Sequence, residues 1–432
     1  MPQRNAIDPA GHPGGRDRVL PSVDAARTYA AEQALCPGPI GRVGLELEGH
    51  LVDRDDLARR IPWDEVTRLR ELVPPLPHGS LLSVEPGGQL ELSTLPAADV
   101  AGAVAALLAD RQVLADTLRT QGYGIAYLGL DPVRPPERVN PAERYALMER
   151  YFDGCGCGVA ARRLMSASAG LQLNLEAGPP GGWPDRLRRI YRLGPVLTAI
   201  SACSAQAADP GPGSGLATGG AASMRQQAWF ALEPARTVPV PFGGEPGLAW
   251  ADYALRAPLM LLRAADGALV EAPPGLTFGA WAAGSERVDR PPTVADLDYH
   301  LTTLFPVIRP RGFLELRFLD AAPTRFWPGL AAIVATLIDD PVAADRAAGA
   351  VGDRAAEPTL DWPAAARDGL RTPEFRRLAA RCAAIAVEHC PDDLRDRAAD
   401  YAALVDSGRT PGDLLRDEAD GDGWRLLEKA LE

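Results

Sequence analysis

The sequence predicts an α+β fold in which a mainly antiparallel sheet packs helices on one face and leaves a polar trough on the other. Two observations lead to this prediction. Four short segments alternate strictly between aliphatic and polar residues, which is the pattern of strands with one buried face. Long helical stretches separate these segments, without regular β-α-β units, so a doubly wound parallel sheet is not favoured.

Helical patterns surround the alternating segments. Residues 1–20 are polar, rich in Pro and Gly and without periodicity, which predicts a disordered lead-in. Helices are predicted at 23–35, 99–120, 143–152, 184–206 and 252–263, with Asp99 as an N-cap and Gly122 as a stop. Residues 209–220 are predicted to be a flexible loop, and the chain is mostly helical from about residue 329. Residues 21–432 are therefore expected to form a single domain.

The four alternating segments place leucines on one side and acids or amides on the other. The polar side carries Glu46 and Glu48 in GRVGLELEGH, Gln89 and Glu91 in GGQLELS with Glu85 just upstream, Gln172 and Asn174 in AGLQLNLEA, and Glu315 and Arg317 in GFLELRFLD. Because an antiparallel sheet packed on helices leaves its other face open, these side chains are expected to line one trough. Taken alone, Glu46 and Glu48 fit the solvated face of an edge strand equally well.

Clustered carboxylates repel one another and call for a compensating cation. Oxygen ligands favour Mg²⁺, with Mn²⁺ possible, and the five histidines and six cysteines show no zinc-ligand spacing. Arginine suits phosphate or carboxylate groups because its planar fork binds them bidentately. The candidates are Arg225, Arg236, Arg309, Arg311 and Arg317. Together these groups describe a site for phosphoryl transfer.

Composition excludes several classes of protein. Lys429 is the only lysine, so a P-loop or a Schiff-base enzyme is not expected. A net charge of -12 opposes nucleic-acid binding. The N-terminus lacks the apolar stretch of a signal peptide, no later run is long enough to span a membrane, and the cysteines form no C-x-x-C pair. The protein is expected to be cytoplasmic, with reduced thiols.

Several motifs in order resemble the plant-type glutamate-cysteine ligase family of carboxylate-amine ligases, and in particular its actinobacterial branch that feeds ergothioneine biosynthesis. The motifs are VGLELEGH, VEPGGQLELS, RYALMERYF, MSASAGLQLNLE, SMRQQAWFALEPAR and DLDYHLTTLFPVIRPRGFLELRFLDAAP, within residues 38–325. The resemblance implies a glutamine-synthetase-like catalytic domain, in which a curved, mainly antiparallel sheet forms a funnel with helices outside.

The activity implied by the resemblance joins L-glutamate to L-cysteine at the expense of ATP, through a γ-glutamyl phosphate. By position, Glu46, Glu48, Glu85, Glu91 and Glu315 resemble the metal-binding acids, with Asn174 beside them, and Arg317, with Glu315, resembles the catalytic pair of the family. Gln89, Gln172, Asn174, Arg225 and Arg236 resemble groups that bind substrate or nucleotide. A ligase for another amine or acid, or a non-catalytic relative, stays an alternative, and the sequence does not determine the oligomeric state.

Other residues have simpler interpretations. Cys203 stands where relatives commonly have asparagine, and Glu233 where they tend to have aspartate. Trp229, Phe230, Tyr145 and Tyr151 are predicted to pack in the core, and His300 to be structural. Cys155 and Cys157 are interpreted as incidental, since two thiols without partners make a poor metal site.

Overall fold

The computed structural model describes residues 15–204, 220–242, 244–264, 267–352 and 361–432. The strands in these ranges are β1 (Val43–Asp53), β2 (Leu81–Val84), β3 (Leu90–Ser93), β4 (Tyr123–Ala126), β5 (Gly170–Leu175), β6 (Leu261–Arg263), β7 (Leu269–Glu271), β8 (Ile308–Pro310) and β9 (Leu314–Asp320). Seven of them form one sheet in the order β2-β3-β1-β5-β9-β8, with β4 paired to β1, while β6 and β7 pair separately. Every pairing is antiparallel, which confirms the predicted class.

Helices lie before, between and after the strands along the chain and pack against the sheet. They are α1 (Val23–Ala34), α2 (Trp63–Leu72), α3 (Val100–Thr120), α4 (Glu143–Gly154), α5 (Gly158–Ala167), α6 (Trp183–Ser201), α7 (Met224–Phe230), α8 (Pro234–Thr237), α9 (Pro246–Arg256), α10 (Phe278–Ala282), α11 (Val294–Leu301), α12 (Trp327–Asp339), α13 (Pro341–Val351), α14 (Trp362–Asp368), α15 (Pro373–His389), α16 (Asp392–Asp406), α17 (Pro411–Glu418) and α18 (Gly423–Lys429). The leucines of the alternating strands join α3, α6 and α12 in one core cluster. The aliphatic side of the alternation therefore faces helices, as predicted.

The strand registers place the polar residues on one face. Glu48 lies opposite Glu91 across β1 and β3, and Glu46 lies opposite Gln172 across β1 and β5. Directly opposed residues of antiparallel strands point to the same side of the sheet. Between its pairs with Leu171 and Leu173, β9 carries one extra residue, which forms a bulge beside Arg317. Such a bulge re-aims the side chains next to it.

Most predicted helices are confirmed, and one is wrong. The first three predictions match α1, α3 and α4 within two residues at each end. Asp99 caps α3, since its side chain accepts a hydrogen bond of 2.8 Å from the Gly102 amide. The helix expected at 252–263 ends instead at Arg256, and Leu261–Arg263 is strand β6. Pro258 explains the difference, because proline cannot continue the helix and its predecessor is held extended.

The structure differs from the prediction at the N-terminus. Residues 15–20 belong to the folded structure, contrary to the predicted lead-in: Leu20 is buried, and its amide donates to the carbonyl of Pro292 at 2.8 Å. Residues 1–14 and most of the predicted loop at 209–220 lie outside the described residues. The helix predicted at 184–206 is α6, which ends at Ser201: residues 202–204 are not helical, and residues 205 and 206 lie outside the described residues. From residue 327 onward the described chain is almost entirely helical, in α12 to α18, as predicted.

No single helix in the described ranges is long and apolar enough to cross a membrane. Only α12 and α13 taken together meet the length and composition, and they are bent by 91° relative to each other.

Candidate active site

Four carboxylates gather on the β1 and β3 side of the polar face; we call Glu46, Glu48, Glu85 and Glu91 the acidic half. The Glu91 carboxylate accepts hydrogen bonds from the hydroxyls of Ser83 and Ser93, at 2.9 and 3.1 Å. The Glu48 carboxylate accepts one from the Gly170 amide at 2.7 Å. No ion pair joins these acids to an arginine within the described part of the chain, so their charges are not directly neutralised.

Glu46 and Asn174 form the edge of the acidic half nearest β9. The Asn174 amide nitrogen donates to the Glu46 carboxylate at 2.8 Å. Its oxygen Oδ1 is buried and has no hydrogen-bond partner among the described residues. A buried acceptor without a donor costs free energy unless a ligand satisfies it. Asn174 Oδ1 beside a carboxylate is therefore a ready ligand atom for a cation.

The electrostatics of the acidic half confirm that these carboxylates crowd one another. Burial, reinforced by the charges of Glu91 and Glu315, raises the pKa of Glu46 to about 7. Burial and the charge of Glu48 raise the pKa of Glu91 to about 7 as well. Burial together with Glu91 and Glu48 holds the pKa of Glu85 well above its usual value. The acidic half therefore needs either protons or a cation at neutral pH.

Three arginines gather on the β8 and β9 side around one acid; we call Arg309, Arg311, Arg317 and Glu315 the arginine half. Glu315 is fully buried, and both of its oxygens are occupied: Arg309 binds it with two nitrogens, one at 2.9 Å. Arg311 contacts it at 3.1 Å and Arg317 at 3.0 Å. Burial opposes ionisation, yet these three charges hold the pKa of Glu315 well below its ordinary value.

Gln172 joins the two halves across β5. Its amide nitrogen donates to Glu48 at 3.1 Å, and its oxygen accepts from Arg317 at 3.0 Å. Arg317 Nε is buried and has no hydrogen-bond partner in the described ranges. Arg317 therefore has a donor available for an anion. Glu315, two residues before it on β9, pairs with Asn174, whose Oδ1 is the unpartnered acceptor.

A second buried arginine lies beside Arg317. Arg225 on α7 is 2% exposed and donates to the carbonyls of Arg317 and Leu319, each at 3.2 Å. Its Nε has no partner among the residues described. The guanidinium carbons of Arg225 and Arg317 both lie 5.4 Å from the ring centre of Trp229. Trp229 is buried, as predicted, and in addition it supports both arginines from one side.

Two residues predicted to bind substrate are instead used by the fold. All five N–H donors of Arg236 are occupied, by Glu233, by the hydroxyl of Tyr151, by the carbonyl of Pro258 and by both oxygens of Thr303. Arg236 is also fully buried, so it has no donor left for a ligand. The Glu233 that departs from relatives belongs to this cluster, which makes its role structural.

Gln89 is the second such residue. Its oxygen accepts from the Gly87 amide at 2.9 Å, and its nitrogen donates to the carbonyls of Met165 and Ser168 at 3.3 and 2.8 Å. The side chain therefore braces the turn between α5 and β5. The turn precedes the strand that carries Gln172 and Asn174, so Gln89 supports the site without facing it.

His300 is structural, as predicted. It is buried, one ring nitrogen lies 2.9 Å from the Ala254 carbonyl, and burial lowers its pKa to about 3.

The residues of the acidic half fit a hard, oxygen-preferring divalent cation. They offer carboxylates and one unpartnered amide oxygen, and neither histidine nor cysteine takes part in the contacts described above. In the described part of the chain no group of three or more His, Cys, Asp or Glu residues is placed closely enough to hold a metal ion by itself. Glu315, predicted to be a metal ligand, has both oxygens occupied by arginine. Ligation by Glu315 would require a guanidinium to move.

Arg309 is one of five candidate arginines in the sequence, and the structure shows that it makes the bidentate contact to Glu315. The signal was present in the alternation, because Arg309 is two residues from Arg311 and pairs with Glu315 across β8 and β9. Strand β8 has only three residues, which is too short for its alternation to be read with assurance.

Comparisons with known proteins identify the family of the chain. Residues 42–429 match the model of glutamate-cysteine ligase family 2 (GCS2). Similar proteins include the glutamate-cysteine ligase EgtA of Mycobacterium tuberculosis, 42% identical over 406 residues, which are 93% of this chain and 91% of that one. EgtA of Mycolicibacterium smegmatis is 42% identical over 92% of this chain and 91% of that one. A chloroplastic glutamate-cysteine ligase of Medicago truncatula is 26% identical over 83% of this chain and 72% of its own.

A solved structure shares the fold. It is a glutamate-cysteine ligase of Francisella tularensis in complex with AMP, with a TM-score of 0.52 and 15% sequence identity. The match covers 91% of this chain and 88% of the other. The family model spans nearly the whole described sheet, and the EgtA proteins are similar over nearly their full length. This chain therefore belongs to glutamate-cysteine ligase family 2.

Proposed function

We propose that the protein is an ATP-dependent glutamate-cysteine ligase, which joins the γ-carboxylate of L-glutamate to the amine of L-cysteine. One observation carries the proposal: on a single sheet face, the acidic half and the Oδ1 of Asn174 lie beside the arginine half, and neither Asn174 Oδ1 nor Arg317 Nε has a hydrogen-bond partner among the described residues. A magnesium-nucleotide complex presents the complementary pattern, a cation joined to an anionic chain of phosphates. The family to which the chain belongs supports the same activity.

The acidic half is suited to hold Mg²⁺, with Mn²⁺ as a substitute. Glu46, Glu48, Glu85 and Glu91 supply carboxylates, and Asn174 supplies its unpartnered Oδ1. When bound, the metal would offset the charge of these carboxylates and would act as a Lewis acid toward the phosphates. The raised pKa values of Glu46 and Glu91 mean that the cation competes with protons near neutral pH.

The arginine half is suited to hold the phosphoryl group during transfer. The γ-carboxylate of glutamate attacks the γ-phosphorus of ATP, which releases ADP and forms γ-glutamyl phosphate. Negative charge on the transferring group is balanced by Arg317, whose Nε is free and whose position is fixed by Gln172, Glu315 and Trp229. The amine of cysteine then attacks the acyl carbon, loses a proton and displaces phosphate.

Arg225 is suited to bind an anionic group of a substrate. Its buried Nε has no hydrogen-bond partner among the residues that the structure describes, and its remaining nitrogens are fixed by two carbonyls of β9. A carboxylate of glutamate and a phosphate of the nucleotide share the chemistry that such a group recognises. The preferred substrate of Arg225 is decided by which of the two Michaelis constants changes when it is replaced.

Glu315 acts in this proposal as the counter-charge of the three arginines. Without it, three guanidinium groups would share a buried strand pair without an anion, which would push them apart. With it, they stay at the edge of the trough where the phosphates would lie. The actinobacterial EgtA relatives support the expectation that the product enters ergothioneine biosynthesis. A cytoplasmic location stays a prediction.

The proposal is tested by incubating the pure protein with ATP, Mg²⁺, L-glutamate and a panel of amines. We expect release of phosphate that depends on both glutamate and cysteine, with γ-glutamylcysteine identified by mass spectrometry. Serine, alanine and 2-aminobutyrate are the informative alternatives, since they keep the amine and change the thiol. Phosphate release that is equal for all amines would contradict cysteine as the substrate while keeping the ligase chemistry. No release with any amine would contradict both.

A further inference from the structure

Asp320, the last residue of β9, is a buried acid that plays no part in the site as described so far. It is fully buried, and its carboxylate accepts three hydrogen bonds. The donors are the Cys203 amide at 2.9 Å and the Ser204 hydroxyl at 2.6 Å, both to Oδ2, and the Ser223 hydroxyl at 2.9 Å, to Oδ1. Burial raises the pKa of Asp320, although the charge of Arg225 and these donors oppose that rise.

Ser204 and Ser223 connect Asp320 to α7. Ser204 Oγ accepts from the Arg225 amide at 3.2 Å, and Ser223 Oγ caps the helix by accepting from the Gln226 amide at 3.1 Å. A hydroxyl has one hydrogen to donate. Because the carboxylate can only accept, it takes both hydroxyl hydrogens and leaves the serine lone pairs for the amides. Asp320 thus sets the direction of the hydrogen bonds that fix the backbone of Arg225.

The other end of Arg225 is fixed by the same strand. Its guanidinium donates to the carbonyls of Arg317 and Leu319, which precede Asp320 on β9. A Cβ on Gly170 would lie 2.4 Å from an Arg225 terminal nitrogen, so that close approach requires glycine. A Cβ on Gly129 would lie 2.5 Å from Cγ of Asp320. Because Gly170 and Gly129 have no Cβ, they leave room for the Arg225 guanidinium and the Asp320 carboxylate.

The departure at Cys203 fits this arrangement. Cys203 contributes its amide to Asp320 and its carbonyl to the amide of Gly129, at 3.0 Å. Both contacts are made by backbone atoms, so they do not depend on the side chain at this position.

We propose that Asp320 is a positioning residue for Arg225, acting through Ser204 and Ser223, and that it thereby controls the binding of the anionic substrate group held by Arg225. This inference rests on the proposed function, in which Arg225 binds a carboxylate of glutamate or a phosphate of ATP. Asp320 itself touches neither.

The test compares Asp320→Asn with wild type in the full chain, by measuring KM for glutamate, KM for ATP and kcat separately. Asparagine keeps the size but turns one acceptor oxygen into a donor, so at least one of the three hydrogen bonds is lost. We expect one of the two KM values to rise by about 10-fold, with a smaller change in kcat. The substrate whose KM rises is the one that Arg225 holds.

A double-mutant cycle separates positioning from a general loss of stability. Ser204→Ala should raise the same KM, and adding it to Asp320→Asn should cause no further rise, since both changes break one relay. Ser201→Ala is the matched control, because that buried serine donates to the Thr198 carbonyl and has no contact with Asp320. If Asp320→Asn does not fold, Ser204→Ala and Ser223→Ala carry the test alone.

Two outcomes would overturn the inference. Additive effects of Asp320→Asn and Ser204→Ala, or a lower melting temperature with both KM values unchanged, would show that Asp320 only stabilises the fold. Arg225→Lys is measured in parallel to separate this inference from the proposed function. If Arg225→Lys raises one KM and Asp320→Asn does not, positioning by Asp320 is wrong and the role of Arg225 survives. If Arg225→Lys changes neither KM, both fail.

Discussion

The acidic half and the arginine half lie on one face of one sheet, yet their glutamates behave in opposite ways. Burial and neighbouring carboxylates raise the pKa of Glu46 to about 7. Glu315 lies on β9, opposite Asn174 of the intervening strand β5, and is more deeply buried than Glu46, yet arginines hold its pKa far below the usual value. The difference between the halves lies in the partners of each carboxylate.

This separation of charge has a functional consequence. A face that mixed acids and arginines evenly would neutralise itself and leave nothing for a ligand. Here one half lacks cations and the other has three guanidinium groups for one acid. The face is therefore complementary to a ligand that is itself divided into a metal and a chain of phosphates.

The largest expected effect comes from the arginine half. Arg317→Ala should lower kcat by about 1,000-fold, because removing a preorganised charge at a transferring phosphoryl group has effects of this size. Steady-state kinetics at saturating ATP, glutamate and cysteine measure it. Arg311→Ala is the matched control, since Arg311 makes a single contact to Glu315 from a more exposed position, and it should cost much less. Equal losses in both variants would contradict a special role for Arg317.

The next effect tests whether Arg236 belongs to either half. Arg236→Ala should lower the free energy of unfolding by about 3 kcal/mol, because it leaves buried partners unsatisfied. Urea denaturation measures the loss, and KM for ATP and glutamate should stay unchanged in the folded enzyme. Arg42→Ala removes an exposed ion pair with Glu176 and should cost under about 1 kcal/mol. A raised KM for ATP or glutamate, together with an unchanged free energy of unfolding, would instead indicate that Arg236 binds a substrate.

A smaller effect is expected for metal binding by the acidic half. Glu91→Gln should weaken Mn²⁺ binding by at least about 10-fold, a loss seen even when a supporting group of a metal site is changed. The free Mn²⁺ signal in electron paramagnetic resonance reports binding without any need for turnover. Glu176→Gln, at the end of β5 and paired with Arg42, is the control and should bind as wild type does. An unchanged Mn²⁺ affinity of Glu91→Gln would contradict metal binding by the acidic half.

A last expected effect is a pH dependence of stability that differs between the halves. Glu46 and Glu91 have a folded pKa of about 7 against an ordinary value of 4.5, so the metal-free folded state holds more protons than the unfolded state between these values. Stability should therefore fall as pH rises through this window. Differential scanning calorimetry from pH 5 to 8 measures it, and saturating Mg²⁺ should reduce the slope.

The two halves supply the variants for this measurement. Glu46→Gln with Glu91→Gln should reduce the slope, because two of the carboxylates with raised pKa values then no longer titrate. Glu315→Gln should reduce the slope only slightly, since the lowered pKa of Glu315 places its own titration below the window and its charge makes only a secondary contribution to the raised pKa of Glu46. A slope that Glu315→Gln removes would contradict the assignment of opposite pKa shifts.

Local patterns in the sequence were sufficient for much of this description. Alternation in four segments determined which residues face the trough, because side chains of a strand point to opposite sides in turn. It thereby identified Glu46, Glu48, Glu91, Gln172, Asn174, Glu315 and Arg317, and the capping residue Asp99 fixed the start of α3. These features depend on neighbours in the chain, so no tertiary information was needed to see them.

Only the tertiary structure decided how each polar group is used. Arg225 and Arg236 stand in one sequence segment and look alike, but the first has an unpartnered Nε while the second has every donor occupied by residues 151, 233, 258 and 303. Gln89 hydrogen-bonds the turn between α5 and β5, whereas Gln172 connects Glu48 and Arg317 within the site. No local sequence pattern marks Asp320, because its hydrogen-bond partners lie about a hundred residues away in the chain. Hydrogen bonds and pKa shifts depend on which distant groups the fold brings within a few ångströms, and residue order alone does not contain that distance.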